Sequence, residues 1–173
     1  MAIRAQYLGM PLSIDDLDVE NLEYFRHCSE HDFHLQACSQ CGRLRYPPTT
    51  ACPWCASLES TWRRVEGKGA VHSYSEVHHA IQPAFRDYAP YLILLVDLDT
   101  QKGEPTSEEA LRVVGNLATA DGQLAPPDMV KTVGIGTRVR MVFSDVAPGL
   151  ALPQWTIDEG APQPEKPWRY PQE

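Results

Sequence analysis

Between residues 14 and 28, in IDDLDVENLEYFRHC, Leu17, Leu22 and Phe25 recur at about helical spacing, and Asp15 and Asp16 suit a helix N-terminus. The pattern predicts an amphipathic helix. From residue 60 onward the apolar residues gather instead into short runs: STWRRV (60 to 65), AVHSYSEVHH (70 to 79), YLILLVDL (91 to 98), LRVVGNLA (111 to 118), TRVRMVF (137 to 143) and LPQWTI (152 to 157). Gly, Pro and Asp clusters separate them, which predicts strands joined by turns. About five strands in the second half, with no long helix between them, fit a small, partly open OB-type barrel. The tail, EGAPQPEKPWRYPQE, is too rich in proline and too poor in apolar residues to build its own core. Its Trp168 and Tyr170 are expected either on their own domain or on a neighbouring subunit.

Composition narrows the class. In 173 residues, 43% hydrophobic and 22% charged content belongs to a globular chain, and a net charge of −8 argues against a general affinity for phosphate backbones. The longest apolar run, YLILLV, falls far short of the roughly 20 residues that cross a bilayer. The first residues, MAIRAQYLGMPLSIDD, lack the apolar core and small-residue cleavage site of a secretory signal. A cytoplasmic protein is expected, in which paired cysteines suggest metal or redox chemistry before disulfides. Up to His34 two basic residues face seven acidic ones, which reads as a solvated face or as a helix that docks a partner.

Four of five cysteines form the strongest chemical signal. Cys38, Cys41, Cys52 and Cys55 read C-x2-C-x10-C-x2-C. Each two-residue gap lets one tight turn aim both sulfurs at a point, and two such turns supply the four thiolates of a tetrahedral structural zinc site. Iron in a rubredoxin-like site would use the same four ligands. A dithiol redox pair expects a single C-x-x-C opening a helix in an α/β fold, which this chain lacks. Gly42 stands where a turn of positive φ commonly requires glycine. Cys28 falls outside the pattern and reads as a small buried hydrophobe.

No self-sufficient active site is visible: no serine stands in G-x-S-x-G and no H-E-x-x-H occurs. His78 and His79 end a strand, so at most one of them points at a given site. The stretch HHAIQPAFRDYAPYLILLV, residues 78 to 96, sets Ile81, Pro83, Phe85, Tyr88, Pro90 and Tyr91 in a loop more apolar than a solvent-facing connection. It reads either as cover for one mouth of the barrel or as the wall of a ligand channel or subunit interface. Between Cys38 and Lys68 the basic residues Arg43, Arg45, Arg63, Arg64 and Lys68 outnumber Glu59 and Glu66, making these five the candidate phosphate contacts; solvated arginines are the plainer reading.

In their order, LQACSQCGRLRYPPTTACPWC, WRRVEGKGAVHSYSEVHH, PAFRDYAPYLILLVDLD and VGIGTRVRMVF resemble the bacterial and archaeal zinc-ribbon plus OB-fold proteins known as domain of unknown function thirty-five. The resemblance covers about residues 20 to 158. It implies a mainly β fold: an N-terminal helical segment (1 to 34), a rubredoxin-like zinc ribbon (35 to 66), a five-stranded OB-fold barrel (67 to 158) and a Pro-rich tail (159 to 173). It further implies a subunit that is not catalytic alone and works beside a thiolase-superfamily protein, forming part of its acyl-CoA channel. Of the implied partners, a lipid-transfer-type retro-aldolase of steroid side-chain degradation ranks ahead of a β-ketothiolase. Two of each chain, with no nucleic acid and no membrane bound, is the implied assembly. Cys38, Cys41, Cys52 and Cys55 match the family's metal ligands, and Phe85, Tyr88, Pro90 and Tyr91 match the segment near the acyl-CoA path; His79 joins these four as a candidate substrate-channel or partner-interface residue. Two insertions, TQKGEPTSEEA and ATADGQLAPPDMVKTV, depart from the shorter family pattern. From another class, a single-stranded nucleic-acid binder is the rival, opposed by the acidic balance and by the lack of aromatics interleaved with basic residues.

Overall fold

The computed structural model describes residues 2 to 170. The chain opens on a hairpin that the sequence pattern did not announce, β1 (Ile3–Tyr7) and β2 (Met10–Ile14), paired antiparallel from Ile3↔Ile14 to Tyr7↔Met10. Helix α1 follows at Val19–Ser29, capped by the Asp18 carboxylate, which accepts from the Asn21 backbone N–H. It therefore starts later than the pattern predicted, and Leu17 lies before it at 88% exposure. The buried positions of α1 are Tyr24 and Cys28, four residues apart on one face.

Next comes a three-stranded ribbon, ordered β4 (Leu44–Arg45), β3 (His34–Cys38), β5 (Ser60–Arg64). Tyr24 joins it to the helix: its ring sits edge-on to Phe25 and Phe33 and tilted against Tyr46 and Trp62, with centroids 5.2 to 6.5 Å apart. Such pairs add about 0.5 to 1.5 kcal/mol each beyond area burial.

The larger sheet runs β10 (Leu150–Ile157), β9 (Arg138–Ala147), β6 (Lys68–Val77), β7 (Tyr91–Leu98), β8 (Arg112–Asn116), antiparallel throughout. In β7 strict alternation sends Leu92, Leu94, Val96 and Leu98 into the core at 1% exposure or less. Each such side chain contributes roughly 1.5 to 3 kcal/mol on burial. The core is continuous from α1 through the ribbon into this sheet.

The strand complement is that of an OB-type domain, but the sheet does not close as a barrel. Its edges, β8 and β10, meet at a single parallel bridge, Leu117↔Trp155, where Ala118 N–H donates to the Trp155 carbonyl at 2.7 Å. The Gln154 side chain accepts from the Asn116 N–H at 2.7 Å in place of a further ladder bond. The second insertion holds a short helix, α2 (Pro127–Val130). The tail lies back on the same sheet domain: Ile135 and Trp168 exchange backbone hydrogen bonds at 2.9 and 3.2 Å. Gly134 permits this, since a Cβ there would lie 2.3 Å from the Trp168 carbonyl oxygen. Residues 171 to 173 of the predicted tail lie outside the described residues. Among the described residues no helix is long and apolar enough to cross a membrane.

Candidate metal centre and loop face

Two knuckles of matching construction carry the cysteines. In the first, Gly42 N–H donates to the Cys38 carbonyl and Cys38 N–H to the Arg43 carbonyl, both at 2.9 Å. In the second, Ala56 N–H donates to the Cys52 carbonyl and Cys52 N–H to the Ser57 carbonyl, also at 2.9 Å. The residue after each pair is left-handed, Gly42 at φ 74° and Ala56 at φ 60°. Glycine suits that conformation without cost; alanine does not.

The knuckles face one another. Cys38 Sγ lies 3.5 Å from Cys55 Sγ, and Cys41 Sγ lies 3.7 Å from Cys52 Sγ, with all four sulfurs within 4.8 Å. Metal–sulfur bonds of about 2.3 Å in a tetrahedron give edges of about 3.8 Å, so the donor set fits one metal ion with no further protein ligand. Cys38 and Cys52 are buried, while Cys41 and Cys55 are exposed. The Cys41 N–H, helped by that of Gln40 and by the Cys55 and Cys41 thiols, brings the Cys38 thiol down to about 6 against burial. At Cys52 burial acts upward, but the Trp54 and Cys55 N–H groups and neighbouring thiols carry the balance downward. The Ser57 N–H lowers Cys55, yet burial and hydrogen bonds with Cys38, Cys52 and Cys41 outweigh it and push that thiol up to about 12. Thiols that resist sharing one negative charge are those a divalent cation brings to ionisation together. Cys28, fully buried and pushed up to about 12, chiefly by burial, lies apart from them.

The five basic candidates separate. Arg45 is buried at 2% exposure, with Nε donating to Gln36 Oε1 and Nη2 to the Thr49 carbonyl. Arg64 pairs with Asp32 at 2.6 Å and Lys68 with Glu66 at 3.0 Å. Arg43 and Arg63 line one open cleft beside Cys41, together with Lys102 of the first insertion.

In the apolar loop, a 3-10 turn at Pro83–Tyr88 brings the Phe85 ring to 5.2 Å from that of Tyr91 and 5.9 Å from that of Tyr7. The N-terminal hairpin thus covers part of the loop, a contact without sequence signature because it joins segments far apart in the chain. Burial, with Tyr88 nearby, raises the Tyr7 phenol. Pro90 is half-buried. His79, Ile81 and Tyr88 remain exposed, Ile81 at 88%. The tail adds Trp168 and Tyr170, exposed on either side of Arg169, whose guanidinium pairs with Glu76 at 2.6 Å.

Residues 62–144 match the family described as ChsH2, C-terminal OB-fold domain. Over 136 residues, 78% of its length, the chain is 33% identical to a probable enoyl-CoA hydratase alpha subunit of Thermomonospora curvata, of which it covers 36%. It is 33% identical over 107 residues, 61% of its length, to a DUF35 domain-containing scaffold protein of Methanocaldococcus jannaschii, of which it covers 63%. The chain thus spans between about a third and somewhat under two thirds of these relatives. Among solved structures, a chain of the Ltp2-ChsH2(DUF35) aldolase superposes with a TM-score of 0.63 at 29% identity, covering 83% of this chain and 98% of that one.

Proposed function

From the match of residues 62–144 to the family described as ChsH2, C-terminal OB-fold domain, we propose that the protein is a non-catalytic accessory subunit of a thiolase-superfamily enzyme. The observation that carries the reading is the similarity, over nearly the whole of the matched chain, to a component of an aldolase built with a DUF35 protein. In this reading zinc on Cys38, Cys41, Cys52 and Cys55 is structural: it fixes the ribbon, whose strands share a core with α1 and the OB sheet. The ion supplies no chemistry to a substrate, since four thiolates fill a tetrahedron.

His79, Ile81, Phe85, Tyr88, Pro90 and Tyr91 form the face offered to the partner and to the acyl chain of its CoA ester. Its physical basis is that Ile81 and Tyr88 stay exposed on a loop whose other aromatics are already packed. The preferred reaction of the assembly is retro-aldol cleavage of a steroid side-chain CoA ester, with two copies of each chain.

Co-expression with a thiolase-superfamily protein of the same organism tests the proposal. The expected result is a co-purifying complex of two plus two by mass, with Ile81→Asp and Tyr88→Asp weakening it while leaving zinc content unchanged. A chain that stays monodisperse alone and shifts single-stranded DNA at physiological salt overturns the reading in favour of nucleic-acid binding.

A further inference from the structure

At the junction of ribbon and OB sheet lies an open, largely polar cleft of about 670 Å³, with Arg43 and Arg63 on the ribbon side and Lys102 on the first insertion. None of these three side chains makes an ion pair or hydrogen bond among the described residues, whereas Arg26, Arg64, Lys68, Arg112, Arg138 and Arg169 each hold a carboxylate. Arg43 is also held in place, its guanidinium 5.8 Å from the centroid of the Trp54 ring, an arrangement that leaves its N–H edge free for another partner. Of the two acids in the cleft, Asp99 is neutralised by a two-pronged contact with Arg138, which holds its carboxyl below the usual range. Glu104 alone has no cation.

The two walls are held at fixed spacing. The Gln101 amide bonds both backbone groups of Leu44, at 2.7 and 3.0 Å, so Lys102 is anchored opposite the arginines.

From this geometry we infer that the cleft is a binding site for a phosphate- or pyrophosphate-bearing ligand, with Arg43 and Arg63 giving forked N–H contacts and Lys102 a point charge. Cys41 also lines the cleft, and with a divalent ion bound the four thiolates would carry a net negative charge. That charge limits the site to weak binding. The phosphates of a CoA ester are the instance that the accessory-subunit reading supplies, and only that identity rests on it.

The test is calorimetric titration of the full zinc-loaded chain with inorganic pyrophosphate, then with coenzyme A, at low and at physiological salt. Pyrophosphate is expected to bind with a Kd on the order of 1 mM, weakening as salt rises. The double variant Arg43→Gln/Arg63→Gln and, separately, Lys102→Gln should each weaken it about tenfold. Arg64→Gln, whose guanidinium serves Asp32, should leave it unchanged. Zinc content is measured for each variant; Lys102→Gln, remote from the cysteines in sequence, decides the matter if the double variant loses metal. Absence of pyrophosphate binding, retention of it in Lys102→Gln, or equal loss in Arg64→Gln overturns the inference. Binding of pyrophosphate but not coenzyme A removes only the CoA identity. A chain that binds pyrophosphate yet forms no complex with the thiolase-like protein keeps this site and loses the accessory-subunit reading.

Discussion

Gln101 reads Leu44 as a neighbouring strand would: the Leu44 N–H donates to Gln101 Oε1 at 2.7 Å, and Gln101 Nε2 donates to the Leu44 carbonyl at 3.0 Å. Strand β4 is only two residues long and lies at the ribbon's edge, so a side-chain amide from another part of the chain completes its pairing. Removing it with Gln101→Ala leaves two part-buried backbone groups to find water, at a cost of about 1 to 2 kcal/mol. Urea unfolding of the metal-saturated protein should show the unfolding free energy falling by that amount with zinc stoichiometry unchanged; a variant as stable as wild type would show that the contact holds nothing together.

The two knuckles allow a stability prediction of opposite signs at equivalent positions. Ala56 holds φ 60° with a Cβ, whereas Gly42 holds φ 74° without one. Ala56→Gly should therefore stabilise the protein, and Gly42→Ala destabilise it, each by about 1 kcal/mol. A Cβ on Gly42 meets nothing within 4 Å, so backbone conformation rather than a clash sets the cost. Chemical denaturation with metal saturating is the measurement.

Metal binding should be worth on the order of 10 kcal/mol to the ribbon. Cys41→Ser removes one corner of the sulfur tetrahedron. We expect elemental analysis to show zinc lost from this variant and complex formation with the proposed thiolase-superfamily partner to go with it. Partner binding retained without metal would remove the ribbon from the scaffold role proposed for it.

Acid should destabilise the protein through His27. Its ring stacks on His34 with centroids 4.0 Å apart and also meets Trp62, and neither of its nitrogens has a hydrogen-bond partner. Burial first, then His34 and Arg26, lower its pKa, while Glu23 and Glu30 oppose the shift only in part. The folded state therefore binds this proton less readily than the unfolded chain. The associated stability is complete above the unfolded pKa of about 6.5 and is lost as the pH falls below it through the folded value. His27→Phe keeps a ring in the stack and removes the proton site. Thermal unfolding of both proteins from pH 7.5 to pH 5, with zinc in excess to hold the cysteines constant, should give a shallower fall for the variant; identical slopes would exclude His27 as the source.

Much of this molecule is legible along the chain. The cysteine spacing announces two knuckles because ligand geometry permits few alternatives. The strands appear because burial on one face imposes a period of two, clearest in β7. The helix appears too, although its start was misplaced: Leu17 is apolar but precedes the Asp18 cap, and the local pattern could not rank it below Tyr24.

Other features come from pairings that no local pattern encodes. Four glutamines, Gln36, Gln101, Gln154 and Gln163, use side-chain amides on backbone groups remote in sequence, and a polar residue in a strand or a loop carries no mark of that use. Arg45 and Arg64 look alike in sequence, yet one is buried against Gln36 and Thr49 while the other pairs with Asp32 at the surface. Tyr7 reaches Phe85 although β2, α1, the entire ribbon and β6 lie between them in sequence. Sequence by itself determined the cysteine cluster and the strand elements, because turn geometry and one-sided burial act over a few residues. Tertiary structure alone decided which arginines stay unpaired, how far the sheet closes and what covers the apolar loop, because each depends on charges and surfaces that meet only after the chain has folded.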